Sequence, residues 1–151
     1  MDIASQLQRD EGDRYVAYPD QYGNLTTGRG HLIVLPNDAW MVHATLNQAQ
    51  VESIFEADLA IVIRGLSPYA WYGTLDPVRR GVLQNMTFNM GLPKLLHFPQ
   101  MISALARSDW SSAAAEMLNS LWASQLKYDA SNPLASRPGR LANQILHGVW
   151  T

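Results

Sequence analysis

The spacing of apolar residues changes along this chain, and each change predicts a different element. Ile3, Ala4 and Leu7 share one face at helical spacing, so residues 2–12 predict a first helix, with Asp2 placed to cap it and Gly12 to close it. Glu11 then falls in the last turn, where the helix dipole disfavours a carboxylate. An acid set against a local rule without evident gain points to function. From Tyr15 the pattern turns to strand formers: Tyr15, Val16, Tyr18, Leu25, Thr26, Thr27 and then Leu32 to Leu35. Pro19-Asp20, Tyr22-Gly23-Asn24 and Gly28-Arg29-Gly30 punctuate them as turns. Two or three short antiparallel strands follow from that pattern. Residues 36–46 combine a Pro36-Asn37-Asp38 turn with apolar Ala39-Trp40-Met41-Val42, which fits a short helix on the sheet or part of a binding rim.

Helical spacing returns over 47–65. Asn47 and Gln50 form a capping pair, Val51, Ile54, Phe55, Val62 and Leu66 make the apolar stripe, and Glu52, Glu56 and Arg64 lie off it. A helix this long can link two lobes. Beyond it the chain reads as all helix. Asp76-Pro77 opens a helix that runs to about Met90 and ends at Gly91. Further helices are predicted over 94–106, 109–119, 121–127 and 138–146, with Pro99 and Ser108-Asp109 as start signals. Short strands followed by many helices make this an α+β chain, without repeats or low-complexity segments.

Composition narrows the chemistry. The 151 residues contain no cysteine, which excludes disulfide frameworks, thiolate catalysis and cysteine-ligated metal centres. Hydrophobic residues at 47% and charged residues at 16% exclude a disordered chain. The net charge of −2 is unevenly placed: residues 1–66 carry nine acids against four arginines, and residues 67–151 carry four acids against seven bases. No dense basic stripe marks a nucleic-acid binder, although the basic half could favour an acidic polymer such as a cell wall. The longest aliphatic run, Leu59 to Ile63, is far too short to span a bilayer. The start of the chain carries no basic-then-apolar secretory signal, so synthesis in the cytoplasm is expected.

Glu11, Asp20 and Thr26 stand out as candidates for chemistry, with surface carboxylates and a strand threonine as the rival reading. A hairpin after a helix can bring two carboxylates and a hydroxyl to one cleft wall. Glycoside hydrolysis uses that set: a protonated acid for the leaving oxygen, and an ionised carboxylate for water or for the positive transition state. Alone, such a trio is common in any sequence. Its surroundings are specific. Asp10-Glu11-Gly12, Tyr18-Pro19-Asp20 and Gly23-Asn24-Leu25-Thr26-Thr27-Gly28-Arg29-Gly30-His31 closely resemble the phage-type lysozymes of glycoside hydrolase family 24. The likeness continues through Phe55 to Asp58, Arg64-Gly65-Leu66, Leu75 to Arg80, Phe88-Asn89-Met90-Gly91, Trp110, Trp122 and Arg137 to Trp150. It covers nearly the whole chain.

The resemblance implies a lysozyme-like α+β fold over 1–151, with a small hairpin lobe (about 12–60), a larger helical lobe (1–11 plus 66–151) and the 47–65 helix between them. It implies inverting hydrolysis of the β-1,4 bond between N-acetylmuramic acid and N-acetylglucosamine in peptidoglycan, without metal or organic cofactor. Glu11 matches the general acid, Asp20 the second carboxylate and Thr26 the hydroxyl that positions water. Leu32 and Phe88 match saccharide contacts, with core packing as the rival reading. His31 looks like the partner of Asp58 in a structural salt bridge, and Arg137 like an arginine that pairs with Glu11. Arg79 and Arg80 are expected to make structural or surface contacts. A monomer is expected, acting on the wall in the periplasm or outside the cell after release through a holin or another export route. Departures from the family pattern are a shorter, more apolar segment between His31 and Asn47, and Met101 and Glu116 where polar cleft residues stand in the family. They motivate a second reading, a lysozyme-fold scaffold that binds peptidoglycan or self-assembles without cutting. A lytic transglycosylase needs chiefly one acid, and retention of Asp20 and Thr26 counts against it.

Overall fold

The computed structural model describes residues 1–151. Nine α-helices and one small antiparallel sheet make an α+β, lysozyme-like fold. The chain divides into two compact units, Ala4–Ile61 and Met1–Ile3 with Val62–Thr151.

The strand-bearing unit begins with α1 (Ile3–Glu11). Three strands follow in the order β1 (Arg14–Pro19), β2 (Leu25–Gly28) and β3 (His31–Leu32). Tyr18 pairs with Thr26, and Thr26 with Leu32. Directly opposed side chains share a face, so Tyr18, Thr26 and Leu32 line one side and Thr27 and His31 the other. The register of β1 shifts between Arg14 and Tyr18. In that irregular stretch the chain pairs elsewhere, with a bridge from Val16 to Thr45 and a 2.7 Å bond from the Leu46 N–H to the Tyr15 carbonyl. An irregularity of this kind leaves strand backbone groups available to a second partner. Residues 36–46, which the sequence leaves between helix and rim, hold one short 3₁₀ turn at Ala39–Met41. It buries Met41 and exposes Trp40.

Helix α2 (Gln48–Leu66) carries the expected reciprocal cap: the Gln50 N–H donates to Asn47 Oδ1 and the Asn47 N–H to Gln50 Oε1, both at 2.9 Å. The division between the units falls within this helix. Leu7, Met41, Leu46, Val51 and Phe55 are the buried hydrophobic residues of the strand-bearing unit.

The helical unit packs Leu66, Val82, Leu83, Met86, Leu95, Met101, Leu105, Met117, Leu141 and Ile145 into one core. Met101 is fully buried there, so its side chain fills space and cannot serve as a polar contact. Helix α4 (Pro77–Met90) starts as predicted, with Asp76 Oδ1 accepting from the Arg79 N–H at 3.0 Å. The unit also holds a short α3 (Ala70–Gly73) that the apolar pattern does not announce. The helix predicted over 94–106 is two elements, α5 (Leu92–Leu95) and α6 (Pro99–Ala106). Pro99 cannot donate an intrahelical bond and crowds the preceding turn, so the chain breaks before it and restarts. Helices α7 (Trp110–Leu118), α8 (Leu121–Gln125) and α9 (Arg137–His147) complete the unit. Arg79 fastens α4 to the end of α9: it donates to the Ile145 carbonyl at 2.7 Å and the Leu146 carbonyl at 3.3 Å, and it lies 4.1 Å from the Trp110 ring centroid. These are the structural contacts expected of it. No helix is long and apolar enough to cross a membrane.

Candidate active site

Three turns of chain place the predicted site residues. The first is the end of α1. The Gly12 N–H bonds to the Gln8 carbonyl at 2.9 Å, and Gly12 adopts φ +69°, which closes the helix directly after Glu11. The Glu11 side chain then packs against the backbone of Gly30. A Cβ at Gly30 would lie 3.2 Å from Glu11 Oε2 and 3.4 Å from Cδ and Cγ. Gly30 also has φ +72°. The conformation favours glycine there, and a Cβ would press the Glu11 carboxyl to move by a few tenths of an ångström.

The second turn joins β1 to β2 and is organised by Asp20. Its Oδ1 accepts from the N–H groups of Tyr22 and Asn24, both at 2.8 Å, and its Oδ2 from the Asn24 amide at 3.4 Å. The Asp20 N–H returns to the Asn24 carbonyl at 2.8 Å. Desolvation pushes this carboxyl up, but the N–H donors of Asn24, Tyr22 and Gly23 and the Asn24 amide outweigh it. Asp20 is held below the usual carboxylate range. It remains ionised at neutral pH. The same bonds make Asp20 the keystone of its turn, a structural role independent of any chemistry.

Thr26 lies between these ends on β2. It is 7% exposed, and its hydroxyl donates to the Asn24 carbonyl at 3.3 Å. β2 lies between the two anchoring points. Asp20 is tied to Asn24 at one end, Glu11 to Gly30 beyond the other, and Thr26 sits between. At the usual strand rise, Leu25 to Gly28 spans roughly 10 Å. Leu32, opposite Thr26, is half exposed on the same face.

The third turn, Gly28-Arg29-Gly30, holds a residue whose role the sequence does not disclose. Arg29 is buried and forks onto Asp13, with Nε to Oδ1 at 2.7 Å and Nη2 to Oδ2 at 3.1 Å. It also reaches Glu52, Nη2 to Oε1 at 2.7 Å. The Arg29 side-chain bond, which outweighs desolvation, holds Asp13 below the usual carboxylate range. The Gly-Arg-Gly spacing signals a tight turn, yet its partners are 16 and 23 residues distant.

On the other sheet face, His31 Nδ1 lies 2.8 Å from Asp58 Oδ2 and Nε2 lies 3.2 Å from Asp38 Oδ2. Asp38 Oδ2 also accepts from the Val34 N–H at 2.8 Å. Bonding to Asp58 raises the imidazole pKa above 6.5; burial opposes this, and the charges of Asp58 and Asp38 with the Asp38 bond add to the rise. Asp38 is a second carboxylate that nothing in its local sequence marks as a partner of His31. Phe88 and Arg137 belong to the helical unit. Phe88 is partly buried on α4. Arg137 Nε donates to Asn85 Oδ1 at 2.7 Å, and its Nη2 to the Asn85 carbonyl at 3.3 Å.

Comparison with known proteins gives the family of the chain. The family model described as phage lysozyme matches residues 8–137. Two Dictyostelium discoideum proteins, probable T4-type lysozyme 2 and probable T4-type lysozyme 1, are each 28% identical to the chain. The first match covers 82% of this chain and 85% of that protein, the second 80% and 84%. The pre-baseplate central spike protein Gp5 of Enterobacteria phage T4 is 30% identical over 87% of this chain and 26% of its own length. The chain belongs to the phage lysozyme family and is a lysozyme-type glycoside hydrolase.

Proposed function

We propose that this enzyme is a muramidase that hydrolyses the β-1,4 bond between N-acetylmuramic acid and N-acetylglucosamine in peptidoglycan, with inversion at the anomeric carbon. Glu11, protonated, donates its proton to the glycosidic oxygen as the bond from that oxygen to C1 breaks. A water held by the Thr26 hydroxyl attacks C1 from the opposite face, and its proton passes to Asp20. The Asp20 carboxylate also offsets the positive charge that develops on the sugar ring. Leu32, half exposed beside Thr26, offers an apolar surface to a sugar face. Phe88 as a saccharide contact and Arg137 as support for Glu11 enter this reading through the family resemblance.

The observation that carries the proposal is the order along β2: an ionised carboxylate at one end, a hydroxyl in the middle, and the Glu11 carboxyl against Gly30 beyond the other end. Inverting glycosidases keep their two carboxyl groups far enough apart to admit a water, so the anomeric outcome reports on the mechanism. NMR during digestion of soluble glycan strands tests it. The first product should be the α-anomer at the new reducing end. Initial release of the β-anomer, or of a 1,6-anhydro sugar, would contradict the mechanism.

A second role beside cleavage, wall binding at an apolar rim, is favoured by one feature. Val34, Leu35 and Trp40 are all more than half exposed in the segment after β3. Weaker sedimentation of Trp40→Ala with sacculi, at unchanged turnover on soluble glycan strands, would establish it.

A further inference from the structure

Arg29 occupies a position that a surface turn does not require. Its side chain is 2% exposed, and a buried guanidinium persists only where its donors are met. Here they are met on two sides. Nε and Nη2 form a fork on Asp13, Nη2 and Nη1 face Glu52 at 2.7 and 3.4 Å, and the guanidinium carbon lies 4.5 Å from the Phe55 ring centroid. The carboxylates are anchored in turn. Gln8 donates to Asp13 at 3.4 Å, and Gln48 donates to Glu52 at 2.9 Å while accepting from the Tyr15 hydroxyl at 2.6 Å.

Both ends of the Arg29–Asp13 pair lead to Glu11. Asp13 follows Glu11 by two residues, across Gly12. Arg29 immediately precedes Gly30, whose backbone is the surface against which the Glu11 carboxyl packs. One ion pair thus ties the segment that carries the Glu11 backbone to the segment that supports its carboxyl. We propose that the Arg29–Asp13 clamp is a positioning device for Glu11, fixing where the general acid presents its proton. The inference rests on the reading of Glu11 as that acid. Breaking buried ion pairs is costly, yet apolar replacements are often as stable, so their geometry is the better reason for keeping one here. Small displacements matter: a misplacement of about 1 Å can cost ~10²-fold in rate.

Steady-state kinetics on solubilised glycan strands test the clamp, with wild type, Asp13→Asn, Arg29→Lys, Asp13→Glu and Glu11→Gln measured well below their melting temperatures. Asn keeps the shape of Asp13 but loses the charge and one acceptor, and Lys cannot reproduce the fork. Asp13→Asn and Arg29→Lys should each lower kcat by about tenfold or more with KM within about twofold, and Asp13→Glu should recover part of the loss. Asp109→Ala removes the cap of α7, Asp109 Oδ1 accepting from the Ser112 N–H at 3.1 Å, and serves as the stability control. It should lower the melting temperature and leave kcat unchanged. Where Asp13→Asn does not accumulate as folded protein, Arg29→Lys reads the same quantity. An inactive Glu11→Gln beside clamp variants with wild-type kcat would overturn the clamp and leave the acid in place. A fall in kcat that Asp109→Ala matches would also overturn it, because lost stability would then suffice. An active Glu11→Gln would overturn the reading of the acid, and the clamp with it.

Discussion

Asp58→Asn perturbs the bond between β3 and α2 while leaving side-chain volume almost unchanged. The His31–Asp58 contact is 2.8 Å, between side chains 16% and 23% exposed. A hydrogen bond to a charged group at such a site contributes about 1.5–3 kcal/mol. Asn retains an acceptor oxygen and Asp38 remains on the other ring nitrogen at 3.2 Å, so the lower half of that range is the better expectation. For a chain of this length the melting temperature should fall by roughly 3–8 °C. The pH dependence fixes the sign. The folded pKa of His31 is raised above 6.5, so the stabilisation is complete below about pH 6.5 and is lost as pH rises through the folded value. The gap between wild type and Asp58→Asn should therefore be widest near pH 5.5 and narrow steadily above neutrality. Thermal unfolding followed by circular dichroism at pH 5.5, 7 and 8.5 reads it directly. Sacculus digestion at 25 °C should be retained, because His31 and Asp58 lie on the sheet face opposite Thr26. A gap that is absent at pH 5.5, or that does not change with pH, would show that the charged His31–Asp58 pair does not stabilise the fold.

Further expectations follow from the same geometry. Gly30→Ala sets a Cβ 3.2 Å from Glu11 Oε2 at φ +72°, and should cut kcat by about tenfold or more; activity assays with wild-type turnover would place the carboxyl elsewhere. Thr26→Ala should lower kcat by about 10²-fold with little change in KM, as loss of a water-orienting group predicts, and kinetics on soluble glycan strands measure both. Arg79→Ala removes two bonds to α9 carbonyls and the contact with Trp110, and should cost about 2–4 kcal/mol in urea unfolding while sparing activity at low temperature.

What can be read from the sequence is what neighbours in sequence decide. The α2 cap is a contact between residues three apart, and Asp76-Pro77 places a helix start within two. Both are therefore legible in the order of residues alone. Glu11 stands out because it sets a carboxylate against the helix dipole, and in the fold its side chain rests on Gly30, a turn glycine that the sequence also marks. The break between α5 and α6 is half legible: Pro99 is a start signal, but Leu95 and Leu96 continue the apolar pattern towards it, and the period alone joins the two helices. The Arg29 clamp is illegible for a different reason. An arginine in a glycine-rich turn has the same local signature whether it faces solvent or two carboxylates, and only the return of α2 beside the turn brings Glu52 within reach. Asp38 is hidden likewise: it has the signature of a turn residue, and it does cap Val34, while its second bond goes to His31.

The proposed chemistry turns on Glu11 supplying the proton for glycosidic cleavage. Purified sacculi incubated with wild type and with Glu11→Gln, followed by mass spectrometry of the released fragments, put that role to the test. Reducing muramic-acid ends are expected from wild type and none from a folded Glu11→Gln protein. The same fragments released by both proteins would mean that another group is the acid.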